Sequence, residues 1–314
     1  MVQTILVGST PFIAEWMSEK QINDRIEISR KIEPALKSKN YSINEIQYFQ
    51  CGNTCVVAKI LLSDRIRPIV VKAKIGDMNK EYEFFKATNE LVETPEIIDY
   101  FSYFEVNFLV MSFFESCLLI DFSKSYLLKN QVFFELGRIL NSVHKVNISG
   151  TTIPLFERKV RKKAFKSAIS IASKSAISNS DIAFIQRAFS ISGSRFDAVL
   201  CHGDLHDKNI FYHDTKISLI DPNPKINDRH FDIAFFLSAY VTAKRKHDIF
   251  KQILDGYREA GGNIDFEFLL YSYCMAIMIR ICQYYKKGDE LKVSIALTEL
   301  RSLTSAVSFD KYSQ

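Results

Sequence analysis

The sequence predicts an α+β protein in which a small, strand-rich lobe is followed by a larger, mostly helical lobe. Three observations support this prediction. Strand-like apolar runs dominate the first third of the chain, helical spacing dominates after about residue 115, and two short apolar strands frame a polar motif at residues 200–211. We place the first lobe at residues 1–112, including a helical extension over residues 1–44, and the second lobe at residues 113–314.

The first lobe contains several strand-like runs and one helix. Residues 45–62 form two β-like runs around a Gly-Asn turn, and residues 66–76 form another run that is rich in Val and Ile. Residues 77–92 have helical character, with Asp77 as the expected N-cap. Residues 107–115 are apolar throughout, which is typical of a strand buried on both faces. Together these elements predict a small antiparallel sheet with one helix.

The second lobe is predicted to be mostly helical. One of its helices has apolar residues at helical spacing, at Leu136, Ile139, Leu140 and Val143. Residues 153–172 indicate another helix with a strongly basic face. The apolar segment at residues 266–285 is interrupted by Arg280, and its charge-free part is too short to span a bilayer. We therefore interpret it as a buried helix and expect no membrane association.

Composition and charge are those of an ordinary folded protein. The 314 residues are 47% hydrophobic and 25% charged, and the net charge of +5 does not by itself suggest nucleic acid or membrane binding. The cysteines include no C-x-x-C pair, so we expect no structural zinc site and interpret all of them as reduced thiols. Because the N-terminus also lacks the basic region of a signal peptide, we expect a cytoplasmic protein.

The polar motif between the two short strands has a spacing typical of phosphoryl transfer. His202 is followed by Asp204 and Asn209, and Asp221 ends the next strand-like run, in the order H-x-D-x-x-x-x-N…D. Such a loop presents a carboxylate to a substrate hydroxyl and an amide oxygen to Mg²⁺, and the second carboxylate completes the metal site. The alternative is an Asp- and Asn-rich turn without chemistry. The apolar frame and the preceding strand-rich lobe favour chemistry.

The same region resembles a known enzyme family. The stretches HGDLHDKNI, LIDP and HFDIAFF are similar to motifs of the aminoglycoside phosphotransferases, which are small-molecule kinases with a bilobal, protein-kinase-like fold. The stretch IDPNPKINDRHFDIA looks most like the streptomycin and hydroxyurea phosphotransferase branch. The resemblance implies transfer of phosphate from ATP, with Mg²⁺, to a hydroxyl group. The acceptor would be an aminoglycoside-type antibiotic, which would confer antibiotic resistance, or a sugar- or nucleoside-like metabolite.

The resemblance also implies a role for each residue of the motif. Asp204 matches the catalytic base, and Asn209 and Asp221 match the metal ligands. His202 matches a buried structural histidine, and Asp232 matches the acid that braces the catalytic loop from the following helix. We expect the last two residues to support the site without reacting.

A lysine–glutamate pair is expected to hold the phosphates of ATP. Lys72 and Lys74 point to the same face of a predicted strand, so alternation cannot separate them. Lys72 is favoured because it directly follows the apolar run, as in a V-A-I-K pattern. Glu81 shares its helix face with two phenylalanines, whereas Glu83 is expected to face water, so Glu81 is the predicted partner.

The predicted phosphate loop has one glycine instead of the G-x-G-x-x-G pattern. Its backbone N–H groups at Gly52, Asn53 and Thr54 are expected to meet phosphate oxygens. The aminoglycoside kinases also have a reduced loop at this point. The adenine ring is expected to meet the backbone of the linker from Met111 to Phe113.

Two features of the sequence argue against a protein kinase. Asp221 is followed by Pro222, and because proline restricts the residue before it, we do not expect a flipping activation switch. Only ten residues separate Asp221 from Asp232, which is too short for a peptide-docking loop. A small-molecule hydroxyl is therefore the predicted acceptor.

A basic segment at residues 157–174 leaves the chemistry of the acceptor open. It contains seven Lys or Arg residues and one Glu. It is either a solvated helix face or a surface for an anionic substrate or partner, such as a phosphorylated metabolite or RNA. The alternative functions are therefore a nucleotide-binding regulator, or an AMP-transferring enzyme that acts on a protein or RNA partner. The sequence does not predict an oligomeric state.

Overall fold

The computed structural model of the chain describes residues 7–14, 17–49, 55–114, 117–155, 197–213, 216–239, 246–286 and 288–306, with a few single positions between 166 and 186. Over these residues an antiparallel sheet with helices is followed by a mostly helical part. The predicted fold class is therefore confirmed. The lobe boundary near residue 112 stays a prediction.

Six antiparallel strands form the sheet of the first lobe, in the order β1-β2-β3-β4-β6-β5. They are β1 (Val7–Gly8), β2 (Ile43–Phe49), β3 (Val56–Leu62), β4 (Ile69–Ile75), β5 (Ile97–Tyr103) and β6 (Val106–Ser112). The predicted strand-like runs correspond to β2, β3, β4 and β6. The sequence did not reveal β5, because this edge strand is mostly half-buried and mixes polar with apolar residues.

Helix α1 (Glu19–Ser38) packs on this sheet. It begins with a capping box, in which the Ser18 hydroxyl accepts the backbone N–H of Gln21 and the Gln21 side chain accepts that of Ser18. Its buried Ile28, Ile32 and Leu36 form one apolar cluster with residues of the sheet. The predicted helical extension over residues 1–44 therefore contains this helix, and it also contains β1, which pairs with β2 at the sheet edge.

Helix α2 (Asn79–Thr88) follows β4. The expectation that Asp77 is its N-cap was wrong, because Met78 occupies that position and makes no side-chain cap bond. Asp77 still satisfies a free donor at the helix start, since its Oδ1 accepts the backbone N–H of Asn79 at 2.8 Å. The buried face of α2 has helical spacing and consists of Glu81, Phe84, Phe85 and Thr88.

The second part of the described chain is built around one large apolar core. Its helices are α3 (Lys124–Lys129), α4 (Val132–His144), α5 (His230–Ser238), α6 (Lys246–Glu259), α7 (Phe266–Lys286) and α8 (Glu290–Ala306). Its short strands are β7 (Cys117–Leu118), β8 (Ala198–Cys201), β9 (Ile210–His213), β10 (Lys216–Leu219) and β11 (Lys225–Asp228). Strand β9 lies between β7 and β10, and β8 pairs with β11, so the small strands position the polar motif.

Helix α7 is, within the described part of the chain, the one helix long and apolar enough to cross a membrane by length and composition. Half of its apolar window, Phe266–Tyr285, is buried inside the protein. There Cys274, Ile277 and Ile281 belong to the main core. Core packing accounts for the apolar character of this helix.

Helices α4 and α6 touch backbone to backbone. A Cβ atom at Gly137 would lie 2.1 Å from the carbonyl oxygen of Ile253, and one at Gly256 would lie 1.9 Å from that of Phe134. No side chain fits at these distances. The two glycines therefore set how closely the helices pack, and Leu140 and Tyr257 are fully buried beside this contact.

We expect Gly256→Ala to lower the free energy of unfolding by about 1–3 kcal/mol, because the added methyl group forces α4 and α6 apart. Urea denaturation followed by circular dichroism measures this change. Lys251→Ala, on the exposed face of the same helix, is the control and should change little. An unchanged midpoint for Gly256→Ala would contradict the close approach of the helices.

Candidate active site

The polar motif forms the loop between β8 and β9. Strand β8 is held by β11, with Cys201 opposite Lys225, and β9 is held by β10. Within and beside the loop, Leu200, Leu205 and Ile210 are buried in the main core. Both ends of the loop are therefore anchored, and its polar residues are presented at a fixed place.

Asp232 of α5 fixes the start of this loop. Its fully buried carboxylate accepts the backbone N–H groups of His202 at 2.7 Å and Gly203 at 2.9 Å. Gly203 has a φ of +79°, and a Cβ there would lie 2.0 Å from the carbonyl oxygen of Asn223, so the position requires glycine. Burial alone would raise the pKa of Asp232, but its contacts with His144, His202 and the Gly203 N–H hold that pKa below its ordinary value.

A buried polar cluster lies behind Asp232. His144 Nδ1 is 2.9 Å from the Tyr257 hydroxyl, and His144 Nε2 is 3.6 Å from Asp232 Oδ2. The ligand atoms of His144, Cys201 and Asp232 lie within 4.8 Å of one another, which is compact enough for a metal ion. We interpret the cluster as internal support, because both oxygens of Asp232 already accept backbone N–H groups and the Cys201 thiol donates to the carbonyl of Asp228.

His202 connects the loop to its surroundings through a buried ring. Its Nε2 lies 2.9 Å from the carbonyl oxygen of Ile220, and its Nδ1 accepts the backbone N–H of Asp204 at 3.4 Å. The ring also meets Phe84 of α2 edge to face. Burial lowers the pKa of His202 and outweighs the opposing effect of Asp232, so the ring is neutral near pH 7. These contacts fit a histidine that supports the active-site loop without reacting.

The lowered pKa of His202 should make folding depend on pH. As the pH falls below about 6.5, the unfolded state binds a proton at this residue before the folded state does, so stability decreases. His202→Gln should lose about 1–3 kcal/mol at pH 7.5 through the disturbed hydrogen bonds. Urea denaturation between pH 7.5 and 5 should then show a smaller decrease with pH for the variant than for the wild type. Equal decreases would mean that His202 is not buried in its neutral form.

Asp204 and Asn209 occupy the middle and the end of the loop. The Asp204 side chain is 41% exposed, and its Oδ2 is 3.8 Å from Nε2 of His206. Asn209 is 5% exposed, and its Nδ2 donates to the backbone carbonyl of Asp204 at 2.9 Å and to that of Asp221 at 3.5 Å. No described residue donates to Asn209 Oδ1. Asp204 is thus open to a substrate, and the amide oxygen of Asn209 is available to a cation.

Lys72 joins three separate segments of the chain. Its Nζ donates to Glu81 Oε1 at 2.7 Å and Oε2 at 2.8 Å, and it also contacts Asp221 Oδ1. Lys72 is only 7% exposed, and although burial alone would lower its pKa, the two carboxylates raise that pKa well above its ordinary value. The lysine is therefore a cation. It in turn holds the pKa of Asp221 below its ordinary value, against the effect of burial.

The backbone at Asp221 has an unusual conformation for a residue that precedes proline. A following proline disfavours helical conformations, yet Asp221 has a φ of +51°, in the left-handed region. Such a conformation costs on the order of 1–3 kcal/mol outside glycine. Here the side chain of Asp221 binds Lys72 and its carbonyl lies near Asn209 Nδ2, so two contacts hold the residue in place.

Glu83 stays near the surface, as expected, but it also makes contacts that the sequence did not predict. Its carboxylate accepts the Thr151 hydroxyl at 3.0 Å, the Thr152 backbone N–H at 2.9 Å and the Thr152 hydroxyl at 2.6 Å. These bonds lower the pKa of Glu83 and tie α2 to the segment that follows α4. The sequence could not reveal them, because the threonines stand far along the chain and belong to no motif.

A sequence model of the phosphotransferase enzyme family matches residues 63–268, a range that contains Lys72, Glu81 and the whole polar loop. The chain belongs to this family. The resemblance to the aminoglycoside phosphotransferases is thereby confirmed at the level of the family, and the chain is a kinase-type phosphotransferase. A comparison with curated proteins gave no match.

Solved structures of aminoglycoside phosphotransferases share the fold of this phosphotransferase. APH(4)-Ia is 12% identical, with a TM-score of 0.64 over 89% of this chain and 99% of that chain. A thermostable mutant of it, in a ternary complex with AMP-PNP and hygromycin B, is 12% identical, with a TM-score of 0.66 over 88% and 99%. The GDP and kanamycin complex of APH(2")-IIIa is 13% identical, with a TM-score of 0.62 over 89% and 99%. At these identities the likeness concerns the fold alone.

The residues predicted to bind the nucleotide base lie at the end of β6. Met111 is buried and pairs with Val70 and Ile97, and Phe113 is half-buried with the Lys59 ammonium 4.4 Å above its ring. The predicted phosphate-loop residues Gly52, Asn53 and Thr54 lie outside the described residues, as does most of the basic segment at residues 157–174. Their roles stay predictions.

Proposed function

We propose that this phosphotransferase moves the γ-phosphate of ATP to a hydroxyl group of a small molecule. One observation carries the proposal. Asn209 bonds to the backbone carbonyls of both Asp204 and Asp221, so the exposed carboxylate of Asp204 lies in the same site as the cluster of Lys72, Glu81 and Asp221. The fold neighbours that carry AMP-PNP, ADP or GDP support a nucleotide as the phosphate donor.

Lys72 is the residue proposed to hold the α- and β-phosphates of ATP. Its ammonium is already fixed by both oxygens of Glu81, so little ordering is needed when the phosphates arrive. Asn209 Oδ1 and the Asp221 carboxylate are hard oxygen donors, and they suit Mg²⁺, which takes one or two carboxylates together with phosphate oxygens. When bound, Mg²⁺ would neutralise charge on the phosphates.

Asp204 is the proposed base. It orients the acceptor hydroxyl and receives its proton, while the acceptor oxygen bonds to the γ-phosphorus. The bond from that phosphorus to the bridging oxygen breaks, and ADP leaves. The backbone of Asp204 is held by His202 and Asn209, so the carboxylate can meet the hydroxyl in a fixed direction.

The acceptor is proposed to be a small molecule because the segment after Asp221 is already paired with another strand of the protein. Strand β11 pairs with β8 immediately before α5 begins, so the described segment between Asp221 and α5 has no free loop on which a peptide could dock. An aminoglycoside-type antibiotic and a sugar- or nucleoside-like metabolite are the two acceptor classes. The stretch at residues 220–234 supports a place near the streptomycin and hydroxyurea branch.

The proposed location is the cytoplasm, where thiols stay reduced. Cys55, Cys117, Cys201, Cys274 and Cys282 form no disulfide in the described part of the chain, which supports this location. Cys51 lies outside the described residues.

We expect Asp204→Ala to lower the turnover of phosphate transfer by about 10²–10⁴-fold while ATP affinity changes little, because the base is lost and the nucleotide contacts remain. The assay is ADP release in a screen of aminoglycosides, sugars and nucleosides. Mass spectrometry of the product separates phosphate transfer from AMP transfer. Asp255→Asn, on the exposed face of α6, is the control. Turnover near the wild-type level in Asp204→Ala would rule out this residue as the base.

We expect Lys72→Met to weaken ATP binding by about 10–100-fold, the usual value of a charge-assisted hydrogen bond in a buried site. Lys74→Met on the same strand is the matched control and should bind ATP nearly as the wild type does, because Lys74 makes no described ion pair. Titration with a fluorescent ATP analogue measures both affinities. If the two variants lose affinity equally, Lys72 has no special role.

A further inference from the structure

Residues 151–155 form a connecting segment between helix α2 and the strands around the active-site loop. At one end of this segment, the Glu83 carboxylate accepts three hydrogen bonds of 2.6–3.0 Å from its two threonines. At the other end, the carbonyl of Pro154 accepts the backbone N–H of Ile226 at 3.0 Å, and Leu155 forms a parallel bridge with the same residue. Ile226 belongs to β11, which pairs with β8, so the segment joins α2 to the strand that begins the loop.

The connecting segment is itself well fixed. The Thr151 hydroxyl, which donates to Glu83, also accepts the backbone N–H of Ile153 at 3.1 Å. The backbone N–H of Thr151 donates to the carbonyl of Ile148 at 3.3 Å, and the Ile153 side chain is buried in the main core. The threonines therefore already point at Glu83, and little conformational freedom is lost when they bind it.

A second link joins the chain after α2 to the neighbouring strand. The carbonyl of Glu93 accepts the backbone N–H of Leu219 at 3.2 Å, and Glu93 forms a parallel bridge with Ser218. Both partners belong to β10, and β10 and β11 are the strands that flank Asp221. The helix that carries Glu81 is thus connected to the strands on both sides of Asp221.

Glu81 and Glu83 hold opposite faces of α2. They stand two residues apart, which corresponds to about 200° around a helix. Phe84 and Phe85 pack the same helix into the main core, but apolar contacts are not directional and do not by themselves fix its rotation. The hydrogen bonds of the two glutamates are directional, so together they determine how α2 is turned.

The position of α2 matters because two carboxylates meet at one ammonium group. Glu81 and Asp221 both contact Lys72 and carry the same charge. Burial raises the pKa of Glu81, the Lys72 ammonium lowers it, and the charge of Asp221 raises it again. Repulsion between the carboxylates favours a wider separation of α2 from Asp221, and the contacts of Glu83 oppose such a movement.

We propose that Glu83 is a positioning residue for nucleotide binding. Through Thr151 and Thr152 it holds α2 at the distance from Asp221 at which Lys72 contacts both carboxylates, and it thereby keeps the ammonium group where the phosphates of ATP arrive. Glu83 acts through Lys72 and is not itself a ligand of the nucleotide. The inference rests on the proposed role of Lys72 and adds the contact that maintains it.

The first experiment measures nucleotide affinity by titration with a fluorescent ATP analogue. Glu83→Ala should weaken binding by about 3–30-fold, the usual size of an effect transmitted through neighbouring residues. Glu83→Gln retains one of the two acceptor oxygens and should give a smaller loss. Glu90→Gln changes an exposed glutamate just beyond the end of α2 and should bind as the wild type does. Circular dichroism verifies that each variant is folded at the temperature of the titration.

Thr152→Val tests whether the loss comes from this contact. The substitution removes the hydroxyl that donates to Glu83 at 2.6 Å and keeps the shape of the side chain. It should weaken binding of the analogue by itself, but it should add nothing in a protein that already carries Glu83→Ala, because both changes remove the same interaction. Additive losses would contradict the proposed contact.

The second experiment repeats Glu83→Ala in a protein that carries Lys72→Met. The further loss of affinity should then be less than about twofold, because the residue through which Glu83 acts is absent. A merely structural role of Glu83 would lower affinity by the same factor in both backgrounds. That outcome, or unchanged affinity in Glu83→Ala alone, would overturn the inference and leave the proposed function intact. If Lys72→Met by itself binds the analogue as the wild type does, the proposed role of Lys72 fails and the inference fails with it.

Hydrogen exchange of the protein without nucleotide locates the change. The backbone amides of α2 should exchange faster in Glu83→Ala and in Thr152→Val than in the wild type, because the helix has lost one of its attachments. The amides of α7, which lie elsewhere in the main core, should exchange at the wild-type rate. Unchanged exchange in α2 would show that Glu83 does not hold this helix.

Discussion

The contact of one buried ammonium group with two carboxylates joins three segments of this phosphotransferase at its proposed active site. Lys72 comes from the sheet, Glu81 from α2 and Asp221 from the segment after β10. Without the cation the two carboxylates would repel each other, and burial would make each charge still less favourable. The position of α2 against the sheet and the left-handed backbone at Asp221 both depend on this contact.

Asp204, the proposed base, is held through its backbone, and this leaves its carboxylate available to a substrate. The backbone next to Asp204 is fixed by Asp232, by the His202 ring and by the Asn209 amide. None of these bonds uses the Asp204 carboxylate. The atoms that hold the loop are therefore different from the carboxylate oxygens that remain exposed to a substrate. The Asp204 carboxylate needs little reorganisation when a substrate binds.

The sequence predicts those parts of the fold that depend on neighbouring residues. Strands β2, β3, β4 and β6, the buried face of α2 and the loop between β8 and β9 each show a local period or spacing. The pairing of Lys72 with Glu81 followed from such a pattern as well. The partners of Glu83 depend on a segment that is distant in the chain. The φ of Asp221 could not be predicted, because tertiary contacts override the local preference set by Pro222.

The bonds of Glu83 to Thr151 and Thr152 have a consequence for how this enzyme could be controlled. Glu81 attaches α2 to the sheet, and Glu83 attaches the same helix to the larger lobe. A switch that swings this helix out of place would have to break both attachments at once, which requires a strong compensating interaction. Two separate attachments therefore hold the helix in the position in which Glu81 reaches Lys72.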